Sequence, residues 1–530
     1  VVETLADAKR VLKILMDNVG DADRPVYHAI DTEVSHIEVA DQTPVGHGNV
    51  TCFSVYCGPD VDFSPNPGVG KPKTLLWVDT MTLGDDGWEV FRPYFESGDV
   101  KKAWHNYSFD RHVIENHCGI KLKGFAADTM HMARLWNSNR KLEGGYSLEA
   151  LSSDPKVMSD AGEMFSDAGE DLIRSKRSIK KIFGKPKLKK DGTPGKTVVL
   201  PPVQEIQVDP EQRQTWIEYS ALDAQATWFL RESLEAKLRG IDCEACPILS
   251  AKTDFKKSNN LWEFYTHYLR PFGEVLTDME HNGMFVDKEH LASAEIVALA
   301  DKKLAEEYFR GWAIAKCPAA EHMNVGSGIQ VRQLLFAGAK HKKRDKEGVP
   351  HKKDFAMVSP EWTAWDLNGR EGKAPKKAAT FELFGITKRN LTPPAFTTTG
   401  LPAVSGLVLR QLAGKAGAAR AVVDGWNALS DSEKTDDALK MVCDGKAFLA
   451  FGGGYEGASA CAAIDALNDV AAIDTLLSNF IIPLQSDNLR GKTGRVHAAL
   501  NINTETGYGL ARFPNPDTPF TAPGRIHYVP

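Results

Sequence analysis

Asp31 and Glu33 stand two residues apart, at the end of the apolar run Pro25-Val-Tyr-His-Ala-Ile30. Strand side chains alternate with period two, so a strand here points both carboxylates to one face. Paired oxygen ligands of that kind suit a hard cation such as Mg²⁺. Taken alone, Asp-x-Glu is equally an ordinary surface pair. Asp110, in Asn106-Tyr-Ser-Phe-Asp110, falls in the first turn of a predicted helix, where the helix N-terminus favours a carboxylate. By itself it reads as a complement to the helix dipole. Tyr219 and Asp223 are four apart and share a helix face with Trp216 and Leu230. An Asp on so apolar a stripe is costly unless paired or metal-bound. The bland alternative is a helix-edge Asp beside a core Tyr.

The elements that must position these groups read as one α/β unit over 25–240. Gly48 to Gly58 (GNVTCFSVYCG) and Thr74 to Asp79 (TLLWVD) are strand-like, and Lys102-Ala-Trp-His-Asn106 is a fourth short strand. Trp88, Phe91 and Phe95 have helical spacing. Ser108 sits where an N-cap belongs, for a helix over 109–117 with Gly119 just past its end. The clearest helix is predicted over 210–239. Asp209 is its N-cap, Pro210 its first residue, Gln212 completes a capping box, and Gly240 is its C′ residue. Strands alternating with helices give a layered α/β domain.

Ten Lys/Arg against one Asp fill 174–196, and Pro186, Pro194 and three glycines make that stretch a loop. It is either a phosphate-tracking arm or a solvated loop. A second basic run, 340–353, holds seven Lys/Arg against two acids and reads as a solvated insertion. From Leu261 the pattern turns helical, over 261–282, 288–312 and 406–482, with a break at Gly452-Gly-Gly454. Residues 340–400 read as a large polar loop. The tail 508–530 has five prolines and no periodicity.

The 530 residues allow room for about three or four domains. With 42% hydrophobic and 25% charged residues the chain is neither wholly disordered nor collagen-like. It lacks the long unbroken apolar stretch of a transmembrane helix. Lys and Arg number 64 against 70 Asp and Glu, a balance of −6, which excludes a histone-like polyanion binder but not local basic patches. Eight cysteines fit a reducing compartment rather than a disulfide scaffold. The opening Val-Val-Glu-Thr without Met reads as a fragment or mature form, and no signal or transit segment is visible. Three motifs fail on inspection. Gly491-Lys-Thr493 has Ser486 where a phosphate loop needs Gly. Cys243-Glu-Ala-Cys246 has no second pair, and the Gly452 triplet reads as a helix break.

Taken in order, a strand-borne Asp-x-Glu, then Asn-x3-Asp at a helix start, then Tyr-x3-Asp in a late helix resembles the DEDD exonuclease superfamily, in its Tyr-containing branch. His105-Asn106, Ala127-Asp-Thr-Met130 and Gly145-Tyr-Ser-Leu-Glu-Ala-Leu151 also fit. The resemblance implies a ribonuclease H-like domain with a central mixed sheet and a 3′–5′ exonuclease that works with two Mg²⁺, Mn²⁺ being an alternative. It implies that Asp31, Glu33 and Asp223 hold the first metal. Asp31 then bridges to a second, which Asp110 supports through water. Ions about 3.5–4 Å apart offset the crowding of carboxylates and clamp the scissile phosphate. Tyr219 would orient the attacking water. The substrate implied is a frayed single-stranded 3′ end of DNA, the product a nucleoside monophosphate. Contacts to the nucleic acid fall to Thr32, Asn106, Lys180, Lys181, Lys187, Lys189 and Lys190.

Farther on, 272–287, 323–335 and, weakly, 399–409 resemble thumb motifs of family-A DNA polymerases. The stretches 183–192, 478–485 and 494–507 are similar to the plant and protist organellar branch. The resemblance implies a mitochondrial or plastid address. It divides the chain into an N-terminal segment 1–24, an exonuclease domain 25–242, a mostly helical partial thumb 260–507 with an insertion at about 340–400, and an irregular tail 508–530. It stops after Gly507, where Tyr508-Gly-Leu510 replaces the family's continuation and only Asp517 is acidic. A polymerase palm needs at least two carboxylates, so the tail reads as truncated or misread and polymerisation is not assigned to this chain. The alternatives are a stand-alone exonuclease of the RNase D or Werner type, against which the thumb-like segments argue, and a non-cleaving nucleic-acid-binding module.

Overall fold

The computed structural model describes the chain except residues 22–23, 39–41, 67, 141–143, 160–177, 189–192, 243–259, 345, 371, 387–390, 431–433, 435–442, 486–493, 502–509 and 513–530. Two compact units result. One comprises Val1–Val286 with Ser486–Pro530, the other Asp287–Gln485.

The first unit is built on five strands: β1 (Tyr27–Ser35), β2 (Asn49–Tyr56), β3 (Leu75–Asp79), β4 (Lys101–Trp104) and β5 (Phe125–Asp128). Their order is β3-β2-β1-β4-β5. β1 pairs antiparallel with β2, and β2 with β3, while β4 runs parallel to both β1 and β5. The sheet is therefore mixed, with β1 at its centre. Helix α1 (Leu5–Asp17) precedes it, α2 (Thr80–Phe95) follows β3, and α3 (Tyr107–Cys118) follows β4. One face is closed by Phe53 and Val55 of β2 packed with Trp88, Phe91 and Phe95 of α2. Phe53 meets Phe91 and Phe95 edge-on at 5.1 and 5.3 Å between centroids, a favoured aromatic geometry. The opposite face takes Ala29, Tyr56, Ala103 and Ala127 against Trp228, Phe229 and Leu230. Covered on both sides, β2 is buried from Val50 to Tyr56, which fits its mostly apolar run, broken only by Thr51 and Ser54.

After β5 come α4 (Thr129–Trp136), α5 (Leu148–Ser152), α6 (Pro155–Met158) and α7 (Ile179–Ile182). Strands β6 (Lys185–Leu188) and β7 (Pro194–Val199) then pair antiparallel, ahead of α8 (Val203–Val208) and α9 (Arg213–Arg239). The described part of the basic segment is thus a helix and a hairpin, not a loop. Pro186 sits beside a register slip between Pro186 and Leu188, and Pro194 is the first residue of β7, two places a strand tolerates proline.

Three helix ends differ from expectation. α9 is regular from Arg213: the Asp209 carboxylate does accept from the Glu211 N–H, as a cap would, but 209–212 form a turn in which the Asp209 carbonyl accepts from both Gln212 and Arg213. Its C-cap Gly240 is right-handed, with φ −75°, so no left-handed cap forms. α3 starts at Tyr107 with Asn106 as its cap, and Ser108 lies inside the helix.

Residues 261–286 belong to the first unit. A four-residue helix Leu261–Phe264 runs through a π turn, Tyr265–Leu269, into Arg270–Asn282. In the second unit, helix Gly454–Leu476 is buried on nearly every side through Ala458, Ala460, Cys461, Ala462, Ala463 and Ile464. It packs with helices Lys288–Lys316, Gly406–Ala413 and Ala418–Asn427. The expected loop at 340–400 contains an antiparallel pair, Lys352–Val358 with Ala378–Phe384, and a helix Pro360–Leu367 in the connection. Phe355 with Met357 and Phe381 with Leu383 do alternate, but each run is short and follows a lysine cluster, Lys352-Lys353 and Lys376-Lys377, in a stretch whose composition reads as loop. Gly452, Gly453 and Gly454 all have positive φ and form the predicted break. The Cys243 pair and the Gly491-Lys-Thr493 tripeptide lie outside the described residues. Among the described residues no helix is long and apolar enough to cross a membrane.

Candidate active site

Asp31 and Glu33 share one face of β1, the centre strand. Opposite them on β2 stand Ser54 and Cys52, and beyond Ser54 on β3 stands Trp77. The row Asp31, Ser54, Trp77 faces α9. Ser54 Oγ donates to the Ser220 carbonyl at 2.9 Å and Trp77 Nε1 donates to Ser220 Oγ at 2.8 Å. Ser220 Oγ donates in turn to the Trp216 carbonyl at 2.9 Å. The helix is therefore clamped to the sheet one residue after Tyr219 and three before Asp223. The clamp brings the Asp223 carboxylate down onto the β1 pair. Oxygens of Asp31, Glu33 and Asp223 all lie within 4.8 Å of one another. Asp223 is only 9% exposed, and the other two are half-buried. Three crowded, partly desolvated carboxylates repel one another unless a proton or a cation intervenes. As a donor set they fit a hard divalent cation.

Tyr219 is half-buried beside this group. Burial first, then the charges of Asp223, Glu33 and Asp31, push its phenol far above the usual tyrosine range. It stays a protonated hydroxyl at the edge of the carboxylates. Its ring stacks on Trp216 at 5.9 Å and 24°, and meets Phe183 edge-on at 6.0 Å and 84°. Cys52, on the same face, is wholly buried; burial and the Glu33 charge push its thiol up, so it is inert.

Asp110 lies outside the group of three. Thr32 points from the other face of β1, and its hydroxyl donates to Asp110 Oδ1 at 2.5 Å. Burial raises the Asp110 carboxyl to about 7, aided by the charge of Asp128 and opposed by the Thr32 hydroxyl. Asn106, with φ 71°, forms the left-handed entry to α3, a conformation Asn tolerates. Lys180, Lys181 and Lys187 are exposed on α7 and β6, while Lys189 and Lys190 lie outside the described residues.

Asp128 enters the sequence reading only within the family-like run Ala127-Asp-Thr-Met130, with no role assigned to it. Its carboxylate accepts from the N–H groups of Asn106 at 3.2 Å and Tyr107 at 3.0 Å, at the start of α3. It also accepts from Met130 at 2.9 Å and His131 at 3.3 Å, at the start of α4. Burial alone would raise its carboxyl, but the His131 and His105 rings and those N–H groups outweigh it and hold it down. An Asp before a helix was a readable cap for α4. Its service to α3 depends on β4 and β5 being neighbours, which no local signal gives.

Residues 68–154 match the family model described as a 3′-5′ exonuclease. That stretch holds Asp110 and Asp128, with Asp31, Glu33, Tyr219 and Asp223 outside it. Over 509 residues the chain is 47% identical to DNA polymerase I A, chloroplastic/mitochondrial, of Arabidopsis thaliana, covering 92% of this chain and 46% of that protein. It is 45% identical over 541 residues to DNA polymerase I B, chloroplastic/mitochondrial, of the same plant, covering 97% and 49%. The chloroplastic DNA polymerase I A of Oryza sativa subsp. japonica is 43% identical over 523 residues, covering 97% and 48%. The chain spans about half the length of the curated relatives it matches.

Proposed function

The chain is a relative of the organellar DNA polymerase I proteins of plants, and from that premise we propose that residues 25–242 form a metal-dependent 3′–5′ exonuclease that removes the terminal nucleotide from a single-stranded 3′ end of DNA. One observation carries the reading. Asp31, Glu33 and Asp223, the last far away in sequence, converge to within 4.8 Å beside Tyr219.

Asp31, Glu33 and Asp223 would hold the divalent cations, with Asp110 as the fourth carboxylate of the site. When bound there, two Mg²⁺, or Mn²⁺ in their place, would offset the carboxylate charge, lower the pKa of a bound water and neutralise charge on the scissile phosphate. The protein's own groups do the positioning. The protonated Tyr219 hydroxyl is a hydrogen-bond partner that can orient the attacking water. Thr32 fixes Asp110. The Ser220 clamp holds Tyr219 and Asp223 at their distance from β1. Thr32, Asn106 and the lysines of the α7–β7 segment would contact the DNA strand. As in the relatives named for chloroplasts and mitochondria, the working place is an organelle, and the task is proofreading for a family-A DNA polymerase. By the resemblance, residues 260–507 would correspond to part of a polymerase thumb, and no polymerase chemistry is assigned to them. Similarity to the relatives extends over more than nine-tenths of the chain, which supports this reading over a stand-alone RNase D-type enzyme.

The test is a 3′-mismatched primer–template with Mg²⁺ and the four deoxynucleotides, comparing the chain with Asp31→Ala. Shortening from the 3′ end by the chain but not by the variant is the expected result. A variant as active as the parent would overturn the proposal. Binding without shortening by either would leave a nucleic-acid-binding module as the reading.

A further inference from the structure

The basic segment is tied to the carboxylate site by a single ring. Lys180, Lys181, Lys185 and Lys187 stand exposed on α7 and β6. Among the described residues from 178 to 200, Phe183 is the one fully buried side chain, at 4% exposure. It meets Trp216 edge-on at 5.5 Å and 72° and Tyr219 at 6.0 Å and 84°. With the Trp216–Tyr219 stack, the three rings form one packed set on α9.

The joint that carries Phe183 is stiff. The Phe183 N–H donates to the Ile179 carbonyl at 2.9 Å and the Gly184 N–H to the Lys180 carbonyl at 3.2 Å. A Cβ on Gly184 would stand 2.2 Å from the Lys180 carbonyl and 2.4 Å from Val198 Cγ1, so helix, turn and hairpin touch there without slack. A displacement of the lysine-bearing arm therefore moves Phe183, and Phe183 is the edge against which Tyr219 rests.

Resting on the nuclease reading above, we propose that Phe183 is a positioning residue for Tyr219, through which the cationic arm and the tyrosine at the carboxylates act as one unit. Lysines that track phosphates settle when a strand lies on them. The same settling fixes Phe183 and, through it, the tilt of the phenol. A hydroxyl that orients a reacting water must be held closely, since a misplacement of about 1 Å can cost roughly 100-fold in rate. The arm thus makes catalysis depend on a strand being present.

The test is a double-mutant cycle on the full chain, with a single-stranded oligodeoxynucleotide and Mg²⁺, reading kcat and KM separately. Phe183→Ala should lower kcat by roughly 10- to 100-fold with little change in KM. In a Tyr219→Phe background the same change should do almost nothing, because the residue it acts through is already gone. Phe183→Leu, which keeps most of the apolar fill, guards against misfolding. It should melt like the parent, show a smaller kcat loss, and lose that effect in the Tyr219→Phe background. Additive losses in the double variants would overturn the inference, as would an unchanged kcat in both single variants. If the parent itself shortens no 3′ end and matches Asp31→Ala, the nuclease reading fails first and the inference falls with it. An active parent with additive variants separates the two failures.

Discussion

The Thr32 hydroxyl donates to Asp110 Oδ1 at 2.5 Å, across the sheet face opposite Asp31 and Glu33. The middle residue of the Asp-x-Glu run is thus a link between two motifs. Its neighbours face α9, while Thr32 reaches α3 and sets where the fourth carboxylate points. Asp110 is 5% exposed, so a lost hydroxyl is not replaced freely by solvent. Thr32→Val should therefore destabilise the chain by roughly 1–3 kcal/mol and lower exonuclease kcat, while Thr32→Ser should keep most of both. Urea unfolding and single-turnover shortening of a 3′ end read the two effects. Equal behaviour of Val and Ser would mean that the hydroxyl bond is dispensable.

The three converging carboxylates predict a cation-dependent stability. Without divalent ions their repulsion opposes folding, so Asp223→Asn should melt above the parent in the presence of a chelator. With Mg²⁺ at about 100 times its dissociation constant the parent should gain about 2.7 kcal/mol, and the variant much less. Thermal melts with and without Mg²⁺ check both signs. A parent indifferent to Mg²⁺ would argue that the group of three is not a cation site.

Asp128 predicts a larger structural penalty than its place outside the carboxylate group implies. It closes four backbone N–H groups at the starts of two helices, one of which carries Asp110. Asp128→Asn keeps the shape but turns an amide against some of those donors. A loss of roughly 1–3 kcal/mol is expected, with a fall in exonuclease rate because α3 loses its fixed start. Urea midpoints and rates measured side by side decide it. A loss under about 0.5 kcal/mol, ordinary for surface sites, would rule out the cap.

Much of this was legible before any coordinates. Period two placed Asp31 and Glu33 on one face, and the spacing of four placed Tyr219 with Asp223. Strands β1 to β3 show as β-forming runs and the long helix α9 through its 3.6-residue spacing, while β4 is read only from the short run Lys102-Ala-Trp-His-Asn106. β5, with four residues, is too short for its period to show. The helix starts went astray at α3 and α9: α3 takes its fixed start from Asp128 on a neighbouring strand, and the Asp209 cap bond closes a turn over 209–212 ahead of the regular part of α9. Phe183 sits among lysines, where composition says loop, and its burial follows from the distant partners Trp216 and Tyr219. The hairpin at 352–384 was hidden in the same way. What brings Asp223 to Asp31 is the sheet order and the Ser220 clamp, and neither has a signature in spacing.

His28 predicts an acid limb in the stability of the first unit. It is fully buried on β1. Its Nε2 lies 2.8 Å from the Asn18 carbonyl, which can only accept, so Nε2 carries the proton; Nδ1, 3.1 Å from the Tyr94 hydroxyl, is then the acceptor. The neutral ring is satisfied on both sides. Burial lowers its pKa to about 4 from the ordinary 6.5, the Asn18 carbonyl opposing and the Lys102 charge assisting. The sign follows from linkage. Well above pH 6.5 neither folded nor unfolded chain is protonated at His28, and its contribution is complete. As pH falls from 6.5 toward 4 the unfolded chain binds a proton that the folded chain refuses, so stability drops. Between pH 7.5 and 4.5 the loss from this group should be about 2–3 kcal/mol. His28→Gln keeps a donor and an acceptor but does not titrate. Its urea-unfolding free energy should therefore fall less than the parent's over that range, by the same amount. Parallel pH profiles for the two would show that His28 is protonated in the folded chain as readily as in the unfolded one.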